Sequence, residues 1–354
     1  MDLNPRWLFG GGFVGVMWLT GKLTIKTFLM LGGGLFGGFL YLLWAYQENL
    51  LYQPKVFPQF TTPQQNPTGY KNPSEQGLEF EDIYLTTEDS IKLHAWFIRP
   101  NNLVDRMSRT TLLFFHANAG NMGFRLDNIK QMVNEFKLNV FILSYRGYGN
   151  SEGKPNEQGL LIDGETAWKY LCSREDIDRE RLIIFGRSLG GSVAIAMAAK
   201  HSPPRDKTQI NTNSSPPYVK ALIIENTFTS ISSLVDTLFP ILSPLKPFIL
   251  RLDWPALTRI ASVTCPILFL SGSKDEIVPA SHMQALYDGA VNCEGKEMLK
   301  VAAGLHNSTW QQGGEAYIAA FHKFLKDYVK PEQTRHRGHE NEEERIIERK
   351  SSAL

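Results

Sequence analysis

The chain has 354 residues, 43% of them hydrophobic and 21% charged, with a formal net charge of +1. That length carries one large domain or two small ones, and it can bury a sizeable core without disulfides or structural metals. The near-zero charge lacks the basic stripe of a nucleic-acid binder, and the composition excludes global disorder and a disulfide scaffold.

Residues 1–26 include an apolar stretch, 7–20, short for a span and expected to lie at the interface or partly embedded; the alternative is the first span of a hairpin, which would reverse the topology. Residues 27–46 (TFLMLGGGLFGGFLYLLWAY) carry no charge. About 20 helical residues rise about 30 Å, so this segment is expected to be a transmembrane signal anchor. Tyr41, Trp44 and Tyr46 crowd one end, as at a membrane interface. Arg6, Lys22 and Lys26 precede the span, and Glu48 and Lys55 follow it. The positive-inside rule then predicts a single pass, with a cytosolic N-terminus and residues 47–354 lumenal or extracellular in the endomembrane system. Gly33/Gly37 and Gly34/Gly38 make two GxxxG pairs suited to helix packing.

Residues 50–78 hold five prolines among polar residues, so 47–79 is expected to be a linker or an extended arm. The stretch 80–98 alternates apolar and polar residues around Thr87-Glu88-Asp89-Ser90, a β-hairpin signal. Short apolar runs follow at 111–116, 139–144, 181–186, 221–226, 266–272 and 297–302. Amphipathic helices are predicted between them at 122–136, 158–172, 189–200 and 280–289, with a last one at 313–329. This alternation predicts an α/β fold over 80–330: a mainly parallel sheet buried on both faces, entered through the hairpin. The polar stretch 202–218 is expected to be a surface loop. The apolar stretch 228–262 interrupts the alternation and is expected to form a small helical cap. Residues 331–354 carry dense mixed charge and are expected to be a disordered tail or a solvated helix. Cys172, Cys265 and Cys293 form no CxxC pair, which argues against a zinc or thioredoxin-like site.

Residues 181–191 read RLIIFGRSLGG and run into an alanine-rich helix. A G-x-S-x-G between strand and helix forms a sharp elbow that raises the serine hydroxyl above the sheet. A serine nucleophile needs a base, and the base needs an acid to orient it. Asp275 and His306 follow Ser188 in the order this architecture uses, each just after a predicted strand. They are the expected partners. Glu225, at the end of the preceding strand, is an alternative acid; Glu276 is expected to point elsewhere. His282 and His322 lie on predicted helices and are expected at the surface, and His94 is expected to be structural. Acyl transfer also needs two N–H donors for the developing oxyanion, worth about 3–4 kcal/mol each. Leu189 supplies one by position, and the 116–121 loop supplies the other. Asn118 is the assigned residue, with Ala117 or Ala119 as alternatives, and His116 is expected to brace the loop. Phe228 and Trp254 are expected to line an acyl pocket under the cap; Arg146 and Tyr148 are read as structural.

HANAGN (116–121), SYRGYGNSEG (144–153), GRSLGG (186–191), ENTFTS (225–230), SGSKDEIVP (271–279) and LHNSTW (305–310) occur in this order. Together they resemble the membrane-anchored α/β-hydrolase domain proteins of the bud-emergence type, over about residues 80–330. The resemblance implies an α/β-hydrolase fold and a Ser188–Asp275–His306 triad. It also implies hydrolysis of acyl esters or thioesters, with palmitoyl-protein thioesterase activity on lipidated proteins as the specific case. No metal or other cofactor is implied. The chain departs from the family's pattern at Ala117, where glycine is usual. Two other readings remain at this point: a non-catalytic scaffold in polarity or trafficking, which the complete triad disfavours, and an aminopeptidase-type hydrolase, for which no acidic amine-binding cluster is apparent. A lumenal domain would expose Asn213 in N-S-S to glycosylation, whereas Asn307 in N-S-T is expected to be inaccessible beside His306.

Overall fold

The computed structural model describes residues 25–101, 109–205 and 217–329. The 7–20 stretch, most of the 202–218 loop with Asn213, and the 331–354 tail lie outside the described residues.

The chain enters through helix α1 (Ile25–Leu51), then the hairpin β1 (Glu79–Thr86) and β2 (Lys92–Arg99). Next come β3 (Thr111–Phe115), α2 (Leu126–Asn134), β4 (Asn139–Leu143), α3 (Glu157–Ser173), β5 (Leu182–Arg187) and α4 (Leu189–His201). After β6 (Ala221–Glu225) the chain forms three short helices, α5 (Ile231–Leu238), α6 (Lys246–Ile249) and α7 (Ala256–Ile260). It closes with β7 (Ile267–Gly272), α8 (Ala280–Gly289), β8 (Lys296–Val301), α9 (Thr309–Gln312) and α10 (Gly314–Tyr328). Every strand expected from the apolar runs is present within a residue or two at its ends.

The eight strands make one sheet in the order β1-β2-β4-β3-β5-β6-β7-β8. β2 pairs antiparallel with β1 and β4, and all later neighbours are parallel. The continuous apolar runs explain the centre. Every residue of β3, β4, β5, β6 and β7 is buried, because helices cover both faces. Trp168 of α3, Val193 of α4, Ile260 of α7 and Leu286 of α8 pack on one face. Ile129 of α2 and Phe321 of α10 pack on the other. The edge strand β1 keeps no fully buried residue, as its alternating sequence requires.

Two expectations need correction. The 47–79 segment is not a free linker. Tyr52 is buried, the Gln53 N–H donates to the Asn118 carbonyl (3.1 Å), and the Asn66 and Asn121 amides pair at 2.8 Å. Its prolines start two 3₁₀ turns, Pro63–Gln65 and Pro73–Gln76, that lie against the domain. The apolar helix also runs past residue 46 to Leu51. Its last turn is drawn on by Gln47, whose Oε1 accepts from the Arg251 N–H (2.7 Å) and the Leu252 N–H (3.0 Å). Gln47 Nε2 donates to the Ile249 carbonyl at 3.1 Å. Thr27–Leu51 is long and apolar enough to cross a membrane.

Candidate active site

The parallel strands end on one edge of the sheet, where open α/β folds build their ligand sites. Three expected residues meet there. Ser188 follows β5, Asp275 follows β7 and His306 follows β8. His306 Nε2 lies 3.0 Å from Ser188 Oγ. His306 Nδ1 lies 2.8 Å from Asp275 Oδ2 and 3.0 Å from Oδ1. Asp275 Oδ1 also accepts the backbone N–H groups of Ile277 (2.9 Å) and Val278 (2.7 Å). Those two donors fix the carboxylate, and the carboxylate in turn fixes the imidazole.

The elbow is strained at the serine itself. Ser188 has φ 54° and ψ −121°, a region L-residues adopt at a cost of about 1–3 kcal/mol. Two hydrogen bonds clamp the turn: the Ser188 N–H donates to the Glu225 carbonyl, and the Gly191 N–H donates to the Ser188 carbonyl, both at 2.9 Å. The flanking glycines are required by close approach. A Cβ on Gly186 would overlap the Gly190 carbonyl, and one on Gly190 would overlap the Phe115 carbonyl. β5, the elbow and α4 therefore lie as near each other as backbones allow.

Leu189 is the first residue of α4, so its N–H has no intrahelical partner and faces the serine's side of the helix end. The 116–121 loop lies beside it, after β3. Its left-handed position falls on Gly120 (φ 71°), not on Ala117, which takes no positive φ. The departure to alanine therefore leaves the loop's backbone unstrained. Asn118 is held from three sides: its side chain donates to the Leu51 carbonyl (2.8 Å), and its carbonyl accepts from Gln53 N–H (3.1 Å) and Tyr148 Oη (2.8 Å). Tyr145 Oη donates to the His116 carbonyl at 3.1 Å. The SYRGYG segment thus braces the loop. Arg146 ties that segment to the buried Asp163 and to Asp89.

His116 is buried against Tyr145 and donates through Nδ1 to the Ala117 carbonyl at 2.7 Å. Burial, with the nearby Arg125 charge second, pushes its pKa down to about 3, so the ring stays neutral in the fold. The unfolded chain, with an ordinary value of 6.5, takes up a proton that the folded chain refuses. Stability from this group is complete above about pH 6.5 and drains as pH falls toward 3, by up to about 1.4 kcal/mol per unit. In His116→Phe, the loss of unfolding free energy between about pH 6.5 and pH 4.5 should be shallower than in the wild type. Parallel slopes in denaturant titrations would refute a buried neutral histidine.

The alternatives are placed elsewhere. Glu225 is fully buried and occupied: Arg187 Nε and Tyr317 Oη each donate to its carboxylate at 2.8 Å. Glu276 does not face the imidazole, but its Oε2 accepts the His306 backbone N–H at 3.0 Å. His322 is exposed, and His94 is buried with Nε2 at 2.6 Å from Asp82. His282 corrects the expectation of a surface position. It is buried, its Nδ1 accepts from Thr229 Oγ1 at 2.9 Å, and burial lowers its pKa. Asn307 is likewise exposed rather than inaccessible.

Phe228 and Trp254 also depart from expectation. Both are core residues with almost no accessible surface, so neither has a face to offer a ligand. Trp254 instead donates through Nε1 to Tyr52 Oη at 3.0 Å, tying the cap to the end of α1. Asn226 is a site residue that the sequence reading missed. Its Nδ2 donates to the His306 carbonyl (2.9 Å) and to Thr309 Oγ1 (3.0 Å), while its Oδ1 accepts the Gly272 N–H (2.8 Å). It holds the loops after β7 and β8 at a fixed distance. Its only signal in the sequence was a polar residue directly after the ALIIE run; in the structure it takes a positive φ of 48°. Among the described residues no cluster of three His, Cys, Asp or Glu side chains could hold a metal ion, and the three cysteines are unpaired.

A family model described as the alpha/beta hydrolase fold matches residues 110–243. The chain is 38% identical over 310 residues to the alpha/beta hydrolase domain-containing protein WAV2 of Arabidopsis thaliana, covering 84% of this chain and 93% of that one. It is 38% identical over 291 residues to protein bem46 of Schizosaccharomyces pombe, covering 82% and 88%. Among solved structures, the Pyrococcus furiosus esterase Pf2001 superposes with a TM-score of 0.57 at 20% identity, covering 75% of this chain and 98% of that one. With identity of this level along nearly the whole length of WAV2 and bem46, the chain belongs to the α/β-hydrolase domain proteins of the bud-emergence type.

Proposed function

We propose that the protein is a membrane-anchored serine hydrolase that cleaves acyl esters or thioesters. The observation that carries this reading is the unbroken hydrogen-bond path from Asp275 through His306 to Ser188, at 2.8 and 3.0 Å. Ser188 Oγ attacks the acyl carbonyl while His306 Nε2 takes its proton, and Asp275 holds the imidazole with Nε2 free to accept. The N–H groups of Leu189 and Asn118 bind the oxyanion. Collapse expels the alcohol or thiol, which takes the proton from His306, and leaves an acyl-Ser188. Water, deprotonated by His306, then releases the acid and restores the serine.

In this reading α1 is the anchor. The basic residues Arg6, Lys22 and Lys26, ahead of the apolar span that begins at Thr27, orient the N-terminus to the cytosol and the hydrolase domain to the lumen or exterior. A palmitoyl thioester on a protein cysteine is a substrate of the fitting class, since both it and the enzyme are held at a bilayer. The test is fluorophosphonate labelling of the full-length protein in membranes, followed by thiol release from a palmitoyl thioester against amine release from a peptide amide. Labelled protein with faster thioester cleavage is expected. Folded protein that takes no label would sink the reading, and faster amide cleavage would redirect it to peptides.

A further inference from the structure

Between the end of α1 and the cap lies an apolar groove of about 410 Å³, within the size range of small-molecule sites. Leu43 and Leu50 line one wall; Leu234, Val235, Leu238 and Leu242 line the other. Residues 43, 47, 50 and 51 fall on one face of α1 by helical spacing. The rest of the helix is turned outward, with Leu35 77% and Leu42 53% exposed. One wall of the groove is therefore the inner face of an apolar helix long enough to cross a membrane.

The two walls are locked together. Gln47 is saturated by the backbone at 249–252. Arg251 Nε donates to the Trp44 carbonyl (3.0 Å), its Nη2 pairs with Glu48 (2.6 Å), and its guanidinium lies over the Trp44 ring. This fixes the cap at the level of Tyr41, Trp44 and Tyr46, the aromatic residues that suit a membrane interface. The cap's outer surface continues the apolar character: Phe239, Ile241 and Phe248 are 54%, 84% and 75% exposed. Clustered exposure of this kind marks a contact surface. Leu51 also lines the groove, and its carbonyl accepts the Asn118 side chain at 2.8 Å. That hydrogen bond ties the α1 wall of the groove to the loop assigned to the oxyanion.

We infer that this groove holds the acyl chain of a substrate resident in the bilayer, which slides in sideways from the leaflet while Phe239, Ile241 and Phe248 sit among the lipid tails. The inference rests on the serine-hydrolase reading above and gives it a substrate class: long-chain acyl esters or thioesters already in the membrane. A chain that moves from leaflet to groove stays in apolar surroundings throughout, so no exposure of its methylenes to water opposes entry. A short acyl group has nothing to place there.

Leu43→Trp and Val235→Trp fill the groove from opposite walls. In the full-length protein in phosphatidylcholine vesicles, the ratio of kcat/KM for palmitoyl over butyryl thioester should fall about tenfold or more in each variant. An unchanged ratio in both variants overturns the inference. A second measurement does not depend on turnover. A diazirine-bearing palmitate, photolysed with the Ser188→Ala protein in the same vesicles, should label residues 43–50 and 234–242. Excess unlabelled palmitate should compete with that labelling, and not with labelling at the outward Leu42. Uncompeted labelling alone overturns the groove. Absence of butyryl hydrolysis and fluorophosphonate labelling in the wild type removes the hydrolase reading, while the photolabelling still judges the groove.

Discussion

Ser188→Ala and His306→Ala should each lower kcat for a reactive acyl thioester by roughly five to six orders of magnitude, and the double variant should lose nothing further. The reason is that the two groups act as one. Without Nε2 at 3.0 Å, the hydroxyl of Ser188 keeps its proton and is a weak nucleophile. Without the hydroxyl, a proton acceptor at Nε2 has only water to activate. What remains is the preorganised pair of N–H donors at Asn118 and Leu189, which can hold a residual rate of about a thousandfold over water. Kinetics of purified full-length variants, with thermal unfolding to verify the fold, decide this. A single variant retaining a few per cent of activity would exclude the mechanism. The elbow adds a stability signature. Ser188→Gly relieves a φ of 54° that Ser188→Ala retains. The glycine variant should therefore be more stable than the alanine variant by about 1 kcal/mol, although both are inactive. Strain relieved by removing the side chain is what a site held open for chemistry should show.

The parts of this molecule that were legible in the sequence are those whose backbone demands are local. The run LIIFGRSLGG carries a buried strand, three glycines at points of close approach and a helix start within a few residues of each other. Asp275 and His306 were legible because β7 and β8 end just before them, so position in the sheet followed from position in the chain. What was not legible depends on partners distant in sequence. Gln47 reads as an ordinary polar end to an apolar helix, yet its amide is spoken for by residues about 200 positions on. The prolines at 54–73 read as a linker signal, although they shape turns that pack against the 116–121 loop and α2. Phe228 and Trp254 were misplaced because the cap is broken by Pro240, Pro244, Pro247 and Pro255 into helices too short to show which face is inward. His282 was misplaced for the related reason that Thr229, the partner that accommodates a buried imidazole, comes from another element.

Two carboxylates lie at the ends of adjacent strands near Ser188, Glu225 as the last residue of β6 and Asp275 in the loop after β7, and the strongest test of which one serves the imidazole is to neutralise each in turn. Asp275→Asn should lower kcat by about four orders of magnitude with little loss of stability. The geometry dictates the outcome. Oδ1 accepts two backbone N–H groups, from Ile277 and Val278, and only an oxygen can stay there. The new amide nitrogen must then occupy the place of Oδ2, 2.8 Å from His306 Nδ1. A donor in that place forces Nδ1 to accept, moves the ring proton to Nε2, and leaves nothing to take the proton of Ser188. Glu225→Gln should do the reverse. Its carboxylate balances the buried Arg187 guanidinium and accepts from Tyr317, not from His306. Neutralising it strands a buried charge, so unfolding free energy should fall by about 3–5 kcal/mol. Its backbone carbonyl, which holds the Ser188 N–H, is unchanged by the substitution, and kcat of the folded fraction should stay within about tenfold of the wild type. Exchange of the two phenotypes, with Glu225→Gln catalytically dead and Asp275→Asn merely unstable, would transfer the acid's role to Glu225. It would also make the Asp275–His306 hydrogen bond a structural tie rather than part of the chemistry.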